Sequence, residues 1–218
     1  MKAAPVGVFC LIAKTFATIG FDGFAPMLKY MGAVLLALAV QLLVVYMGML
    51  KSFAGLHPFR FLRKFLPVMQ FAFSTATSNA TIPLSIGTLA RKMGVSEKIS
   101  SFTIPLGATI NMDGTSIMQG VAVVFVAQAF GIHLGLMDYV TVIATATIAS
   151  IGTAGVPSVG LITLSMVFES VGLPVEGIAL IMGIDRLLDM CRTTVNITGD
   201  AVCTTIIAKH DGLLDKAV

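Results

Sequence analysis

The chain has 218 residues, of which 56% are hydrophobic and 11% charged, and its mean hydropathy is +0.95. Soluble domains carry about 25% charged residues, so the composition excludes that class and indicates an all-α membrane protein that crosses the bilayer several times. The net charge of +3 predicts no nucleic-acid partner, because the basic residues cluster by membrane side rather than in one patch. The three cysteines are widely spaced in apolar segments and predict neither a disulfide framework nor a metal cluster.

Two apolar stretches come first along the chain. We expect two membrane spans within residues 3–50, one from Val6 to Ile19 and one from Met31 to Leu50. No cleavage site for a signal peptide is recognisable, so the first stretch is expected to direct insertion itself. The second stretch is followed by the strongest cytoplasmic marker in the sequence, the basic residues Lys51, Arg60, Arg63 and Lys64.

Residues 60–98 are predicted to form a re-entrant hairpin. Their apolar part, Pro67 to Ala90, is broken by a run of small hydroxyl residues that ends at Pro83, a poor composition for a straight span. Basic residues lie on both sides of it, and a single crossing would place one basic cluster outside the cell. We therefore expect two half-helices that meet near Thr77–Thr81 and return to the cytoplasmic face. The alternative is a full span that breaks the positive-inside trend.

Two further segments are interrupted in the same way. In residues 99–131 the interruption contains Asn111, Asp113 and Gly114, which favour unwound backbone that lines a cavity. In residues 139–168 it lies around Pro157, where Gly152, Gly155 and Gly160 are expected to let the backbone move. The loops beside residues 139–168 lack Lys and Arg, which favours re-entry from outside. The sequence thus predicts two oppositely oriented re-entrant hairpins, the outline of an inverted repeat with a site at the middle of the membrane.

The last apolar segment, residues 174–209, carries polar and ionisable side chains on one face. At about 100° per residue, a single stripe contains Asp185, Asp189, Arg192, Asn196 and Asp200. Each charge at the bilayer centre costs about 2.5–3.5 kcal/mol on insertion scales, so these groups need buried partners. We expect a site for a charged solute and cations. A structural ion-pair ladder between packed helices is the alternative.

Four motifs occur in order: the Ser/Thr-rich tip before Pro83, Asn111–Thr115, Gly152–Pro157 and Asp185–Asp200. Together they resemble those of the dicarboxylate/amino acid:cation symporter family, the glutamate transporters. The resemblance implies one membrane domain over residues 1–218, with residues 99–131 similar to the family's seventh helix and residues 174–209 similar to its eighth. It also implies a multi-pass location in the inner or plasma membrane. The family's N-terminal helices are missing, so we expect the chain to correspond to the C-terminal half of a transporter.

The resemblance implies a binding site for an acidic amino acid, L-glutamate or L-aspartate. Arg192 would hold the side-chain carboxylate of the substrate, because a planar guanidinium matches a planar acceptor. Asp189 would bind the amino group. The other expected contacts are Thr115 beside the side-chain carboxylate, Thr193 and Asn196 at the amino-acid backbone, and main-chain groups around Ser78, Val156 and Gly160 at the α-carboxylate.

The resemblance further implies sodium as the coupling ion, since this hard cation prefers oxygen ligands. Three sodium sites are expected. The first combines the Asp200 carboxylate with carbonyls of Gly107, Asn111 and Asn196, and the second uses carbonyls of Thr109, Ser150, Ile151 and Thr153. The third uses the Asp113 carboxylate and the Asn111 side chain with groups from an earlier helix of the family that has no counterpart in this chain.

Several alternatives stay open beside a sodium-coupled secondary symporter. Acids at Asp189 and Asp200 favour an amino-acid substrate over a non-amino dicarboxylate, although a dicarboxylate:cation symporter is an alternative. Gln119 stands where proton- and potassium-coupled animal members carry a glutamate. A truncated half without transport activity is another alternative, and a homotrimer is expected only if the scaffold is completed. An intramembrane aspartyl protease would need two acids sharing a proton, but Arg192 would keep them ionised, so we expect no enzyme.

Overall fold

The computed structural model describes residues 24–214, and these residues are helical apart from turns, short connections and one isolated bridge between Val95 and Leu214. The prediction of an all-helical protein is therefore confirmed for this range. The first expected span, Val6 to Ile19, lies outside the described residues.

The described residues form eight main α-helices. Helix α1 spans Phe24–Val40 and continues through π-helical turns at Gln41–Tyr46 and Leu50–Ala54, which flank a short α-helical turn at Met47–Met49. The others are α2 Pro58–Thr75, α3 Ser78–Met93, α4 Glu97–Ile110, α5 Asp113–Ala129, α6 Leu136–Ser150, α7 Val159–Ser170 and α8 Ile178–His210, the last preceded by a 3-10 turn at Val175–Gly177. Two helical stretches are long and apolar enough to cross a membrane, Pro26–Ala54 and Glu97–Ala129.

Helices α2 and α3 form an antiparallel pair, hairpin 1. Its tip consists of Ala76, which has a positive φ of 49°, and Thr77, which is extended. The break is slightly earlier than the expected Thr77–Thr81. Thr81 lies within α3. Its hydroxyl donates a 2.6 Å hydrogen bond to the carbonyl of Ser78, one turn back, as hydroxyl residues in helices can. The chain after α3 reaches the C-terminal end of α8, where the Ser96 N–H donates to the carbonyl of Leu213 at 3.1 Å.

Helices α6 and α7 form the second antiparallel pair, hairpin 2. Its tip is the irregular segment 151–158, in which Gly152 and Ser158 have positive φ of 82° and 62°. Away from the tip, the hydroxyls of Thr145 and Ser170 are 3.3 Å apart, and a short connection leads from α7 to the N-terminal end of α8. The two hairpins therefore open toward opposite ends of α8. Their entry from opposite faces of a membrane stays a prediction.

Helix α8 is the centre of the fold. It packs against α1, α2, α4 and α5, and most of its residues are buried. The two hairpin tips meet beside the middle of this helix: the Thr77 hydroxyl donates to the carbonyl of Gly155 at 2.6 Å, and the Asn79 N–H reaches the same oxygen at 3.4 Å. A helix surrounded in this way must find partners within the protein for its charged side chains.

Candidate functional site

A small cavity lies where the two tips meet α8. Seven of the eight residues expected at the substrate site line it, namely Ser78, Thr115, Val156, Gly160, Asp189, Thr193 and Asn196. Its volume is about 20 Å³, which is room for about one water molecule. An amino acid can enter this cavity only if one of the tips moves.

Arg192, the eighth expected residue, is held by two carboxylates. Its side chain is 1% exposed; Nη1 donates to Asp185 Oδ1 at 2.8 Å and Nη2 donates to Asp189 Oδ1 at 2.8 Å. Arg192 Nε and Asp185 Oδ2 are buried without a hydrogen-bond partner among the described residues. Nε is therefore the guanidinium nitrogen without an acceptor among the described residues, while Nη2 contacts Asp189, the residue expected to bind the substrate's amino group.

Asp189 also connects α8 to the tip of hairpin 2. Its Oδ2 accepts a hydrogen bond from the N–H of Ser158 at 3.0 Å, while its Oδ1 contacts Arg192. Arg186, one turn earlier on α8, approaches the same Oδ2 at 3.9 Å. The two oxygens of one carboxylate thus contact the hairpin tip and the buried arginine.

Two residues at this site were absent from the expected set. Asp185 was placed on the polar stripe but not assigned to the substrate site, although a spacing of seven residues puts it two turns from Arg192 on the same helix face. Ser158 contributes to the site through its backbone N–H, which donates to Asp189. A main-chain donor has no side-chain signal in the sequence, so only the position of Ser158 in an interrupted segment indicates it.

Asn196 joins α8 to the start of α5. Its Oδ1 accepts a hydrogen bond from the N–H of Gly114 at 2.7 Å, and its Nδ2 is 3.3 Å from the sulfur of Met112. A Cβ atom at Gly114 would lie 3.0 Å from Asn196 Oδ1 and 3.1 Å from the carbonyl oxygen of Arg192. The glycine in this motif therefore allows the break between α4 and α5 to approach α8 closely.

The structure brings together the residues of the first expected cation set. The Asn111 amide donates to Asp200 Oδ1 at 2.9 Å and to the carbonyl of Asn196 at 3.3 Å. A Cβ at Gly107 would lie 2.7 Å from Asp200 Cγ, so this glycine is also close to the carboxylate. Carboxylate and carbonyl oxygens at this density suit a hard cation such as sodium.

The second expected set is also contiguous. The N–H of Gly152 donates to the carbonyl of Thr109 at 2.8 Å, and the N–H of Thr153 donates to the carbonyl of Ser150 at 3.2 Å. The segment between them contains Ile151, which is exposed. The break in helix α4–α5 and the tip of hairpin 2 therefore share a patch of backbone carbonyls.

Asp113, from the third expected set, has partners on α1. Its Oδ2 accepts hydrogen bonds from Gln41 Nε2 at 2.7 Å and from the Tyr46 hydroxyl at 2.8 Å. The Asn111 side chain contacts Asp200 rather than Asp113. Gln41 and Tyr46 lie in the expected span Met31 to Leu50 and are not among the expected site residues; the signal for them in the sequence is a glutamine within an apolar run.

Within residues 24–214, no three His, Cys, Asp or Glu side chains lie close enough together to hold a metal ion. The two expected cation sets consist mainly of main-chain carbonyls, and only the first includes a carboxylate, that of Asp200. This composition is unlike that of a zinc or iron centre, which takes imidazole or thiolate ligands.

Oppositely directed hairpins whose tips meet beside buried charges on a central helix are typical of secondary transporters. The sequence model of the sodium:dicarboxylate symporter family matches residues 1–210, and the chain belongs to that family of transporters, which are membrane proteins rather than enzymes.

Three relatives show the range within the family. The chain is 40% identical to an excitatory amino acid transporter of Caenorhabditis elegans over 95% of its own length and 42% of the relative. It is 36% identical to a proton/sodium-glutamate symport protein of Bacillus subtilis, over all of its length and 50% of the relative. It is 40% identical to the neutral amino acid transporter B(0) of Oryctolagus cuniculus, over 92% of its length and 38% of the relative. The chain thus spans half or less of the length of these relatives.

Proposed function

We propose that the chain supplies the transport site of a sodium-coupled symporter of acidic amino acids, L-glutamate or L-aspartate. The observation that carries the proposal is the environment of Arg192, a nearly fully buried guanidinium that contacts Asp185 and Asp189 beside the meeting hairpin tips. Membership of a symporter family supports transport. In the native full-length protein we expect several membrane crossings in the inner or plasma membrane and assembly as a trimer.

Substrate binding would proceed as an exchange of ion pairs. Asp189 Oδ1 would leave Arg192 Nη2 and accept the substrate's ammonium group, while the substrate's side-chain carboxylate would take its place on Nη2 and use the unpartnered Nε. Asp185 would keep Nη1 and hold the guanidinium in place. One buried ion pair is replaced by two, and the remaining charge of the substrate, its α-carboxylate, would accept hydrogen bonds from main-chain N–H groups of the hairpin tips.

A neutral amino acid could make only half of this exchange. Its ammonium group would occupy Asp189, but Nη2 of Arg192 would lose its carboxylate and gain none. Breaking a buried pair by removing one partner costs about 3–5 kcal/mol. That cost corresponds to a factor of about 10²–10³ or more in affinity. A non-amino dicarboxylate would fail at the other end, because it brings no cation to Asp189. Both arguments favour an acidic amino acid.

Sodium is the cation that these oxygen sets suit best. Asp200 lies among the carbonyl-rich first set, and Thr109 and Ser150 contribute carbonyls to the second. Gln119 is fully buried and donates to the Thr163 hydroxyl at 2.8 Å, and a neutral amide at that position carries no proton across the membrane. We therefore propose sodium rather than proton coupling, with the first two expected sites, around Asp200 and around the carbonyls of Thr109 and Ser150, contributing to it.

The test uses the native full-length protein in proteoliposomes. L-aspartate uptake should require an inward sodium gradient, and Arg192→Ala should weaken aspartate binding by about 10²-fold or more while affecting serine binding far less. Arg91→Ala is the control, because it removes an exposed arginine near the end of α3, outside the substrate site. Unchanged aspartate affinity in Arg192→Ala would contradict the substrate assignment. Uptake that follows a proton gradient without sodium would contradict the ion assignment.

A further inference from the structure

A second cavity lies at the far end of hairpin 1, away from the transport site. Its volume is about 170 Å³, slightly more than the roughly 150 Å³ of an engineered cavity that accepts benzene, so it can hold a phosphate group. We call it the basic pocket. Its walls combine the cations Arg60 and Lys64 with the imidazole of His57 and apolar side chains, namely Leu56, Phe61 and Met93.

Among the described residues, no carboxylate pairs with the cations of the basic pocket, Arg60 and Lys64. Helix α2 begins at this pocket with Pro58, and His57 makes no side-chain hydrogen bond to cap it. The first main-chain bond of the helix joins the Phe61 N–H to the His57 carbonyl at 3.2 Å, so earlier N–H groups add to the positive potential.

The position of the basic pocket points to a lipid rather than to a soluble anion. The apolar stretch Pro26–Ala54 ends directly before it, which places the pocket at the height of a membrane interface. Phe53 and Phe59, on either side of the pocket along the chain, are 69% and 71% exposed. Exposed aromatic rings at such a height can enter the acyl region while neighbouring cations face headgroups.

We propose that the basic pocket binds the phosphate group of an anionic phospholipid. Arg60 and Lys64 contact the phosphate, Leu56 and Met93 pack against the glycerol and the first acyl carbons, and Phe53 and Phe59 lie among the chains. Basic pockets between membrane helices are suited to anionic headgroups in this way. The proposal depends on α1 crossing the membrane and does not depend on the substrate or ion of the transport site.

The experiment measures lipid retention by the native full-length protein. The protein is reconstituted in nanodiscs of phosphatidylcholine with a minor fraction of phosphatidylglycerol, and the lipids that stay bound after extraction are counted by native mass spectrometry. Wild type should retain phosphatidylglycerol in preference to phosphatidylcholine. Removal of both charges in Arg60→Gln/Lys64→Gln should weaken this preference roughly 30-fold, and Lys64→Gln alone about fivefold.

The matched control is Arg91→Gln/Lys92→Gln, which removes two exposed charges near the end of α3, outside the basic pocket. It should keep the preference within about threefold, because exposed charges that do not line the pocket are weakened by salt screening. Equal losses in both double variants would show general surface attraction and overturn the proposal. A second experiment adds inorganic phosphate to discs of phosphatidylcholine alone and measures thermal stability. If phosphate stabilised wild type but not Arg60→Gln/Lys64→Gln, the pocket would be a site for a soluble anion, and the lipid assignment would be overturned. If the double variant does not fold, an unchanged preference in Lys64→Gln overturns the proposal by itself.

Discussion

Replacing Asp185 with alanine should destabilise the helical core, because it leaves the buried Arg192 with one carboxylate instead of two. The Nη1–Oδ1 distance is 2.8 Å, and the two side chains are 1% and 2% exposed. Removing one member of such a pair costs about 3–5 kcal/mol. Asp189 still contacts Nη2, so we expect about 3 kcal/mol for Asp185→Ala. At about 2–4 °C per kcal/mol for a domain of this size, the melting midpoint should fall by roughly 6–12 °C.

The sequence contains no tryptophan, so the helical circular dichroism signal in detergent is the suitable readout for this loss. Asp211→Ala is the control, because Asp211 pairs with His210 at 3.4 Å and both side chains are exposed. Exposed pairs contribute about 0–1 kcal/mol, so its midpoint should stay close to wild type. Equal melting midpoints for Asp185→Ala and Asp211→Ala would refute the reasoning.

Two further changes test the packing of the core and the geometry of a tip. A Cβ at Gly199 would overlap the hydroxyl of Tyr46, so Gly199→Ala should cost about 1–3 kcal/mol through overpacking and lower the melting midpoint. The control is Gly120→Ala, whose Cβ would meet nothing within 4 Å and which should not lower the midpoint. Equal midpoints for the two variants would contradict the contact with Tyr46. Ala76 has a φ of 49°, so Ala76→Gly should stabilise the protein by up to about 1 kcal/mol, whereas Ala72→Gly inside α2 should destabilise it by about the same amount. Melting shifts of the same sign would contradict the tip geometry.

The features that depend on local sequence could be predicted from it. The polar stripe of α8 follows from helical periodicity alone, and two of its carboxylates, Asp185 and Asp189, both contact Arg192 of the same stripe. The interruption of the α4–α5 segment is present at Asn111 and Met112, in the run of Asn, Asp and Gly whose side chains and backbone freedom disfavour a helix interior.

The choice of partners across the fold could not be predicted, because it depends on tertiary contacts. The glycines at the tip of hairpin 2 show this. All three were expected to provide backbone freedom, but only Gly152 has a positive φ. A Cβ at Gly155 would lie 3.0 Å from Ser78 Cβ, and one at Gly160 would lie 3.2 Å from Thr115 Cγ2, so these two glycines permit close packing instead.

The tip of hairpin 2 links the two proposed ligands physically. At one end of segment 151–158, the Gly152 N–H contacts the carbonyl of Thr109 in the second cation set; at the other end, the Ser158 N–H contacts Asp189 in the substrate site. A cation held by the carbonyls would fix the first end, and an ammonium group at Asp189 would rearrange the second. Because both ligands act on one segment, each should raise the affinity for the other by the same factor. Aspartate affinity should therefore rise with sodium concentration in the full-length protein, and the rise should be smaller in Gly155→Val, where the tips can no longer approach each other. An aspartate affinity independent of sodium in wild type would show that the segment does not couple the two sites.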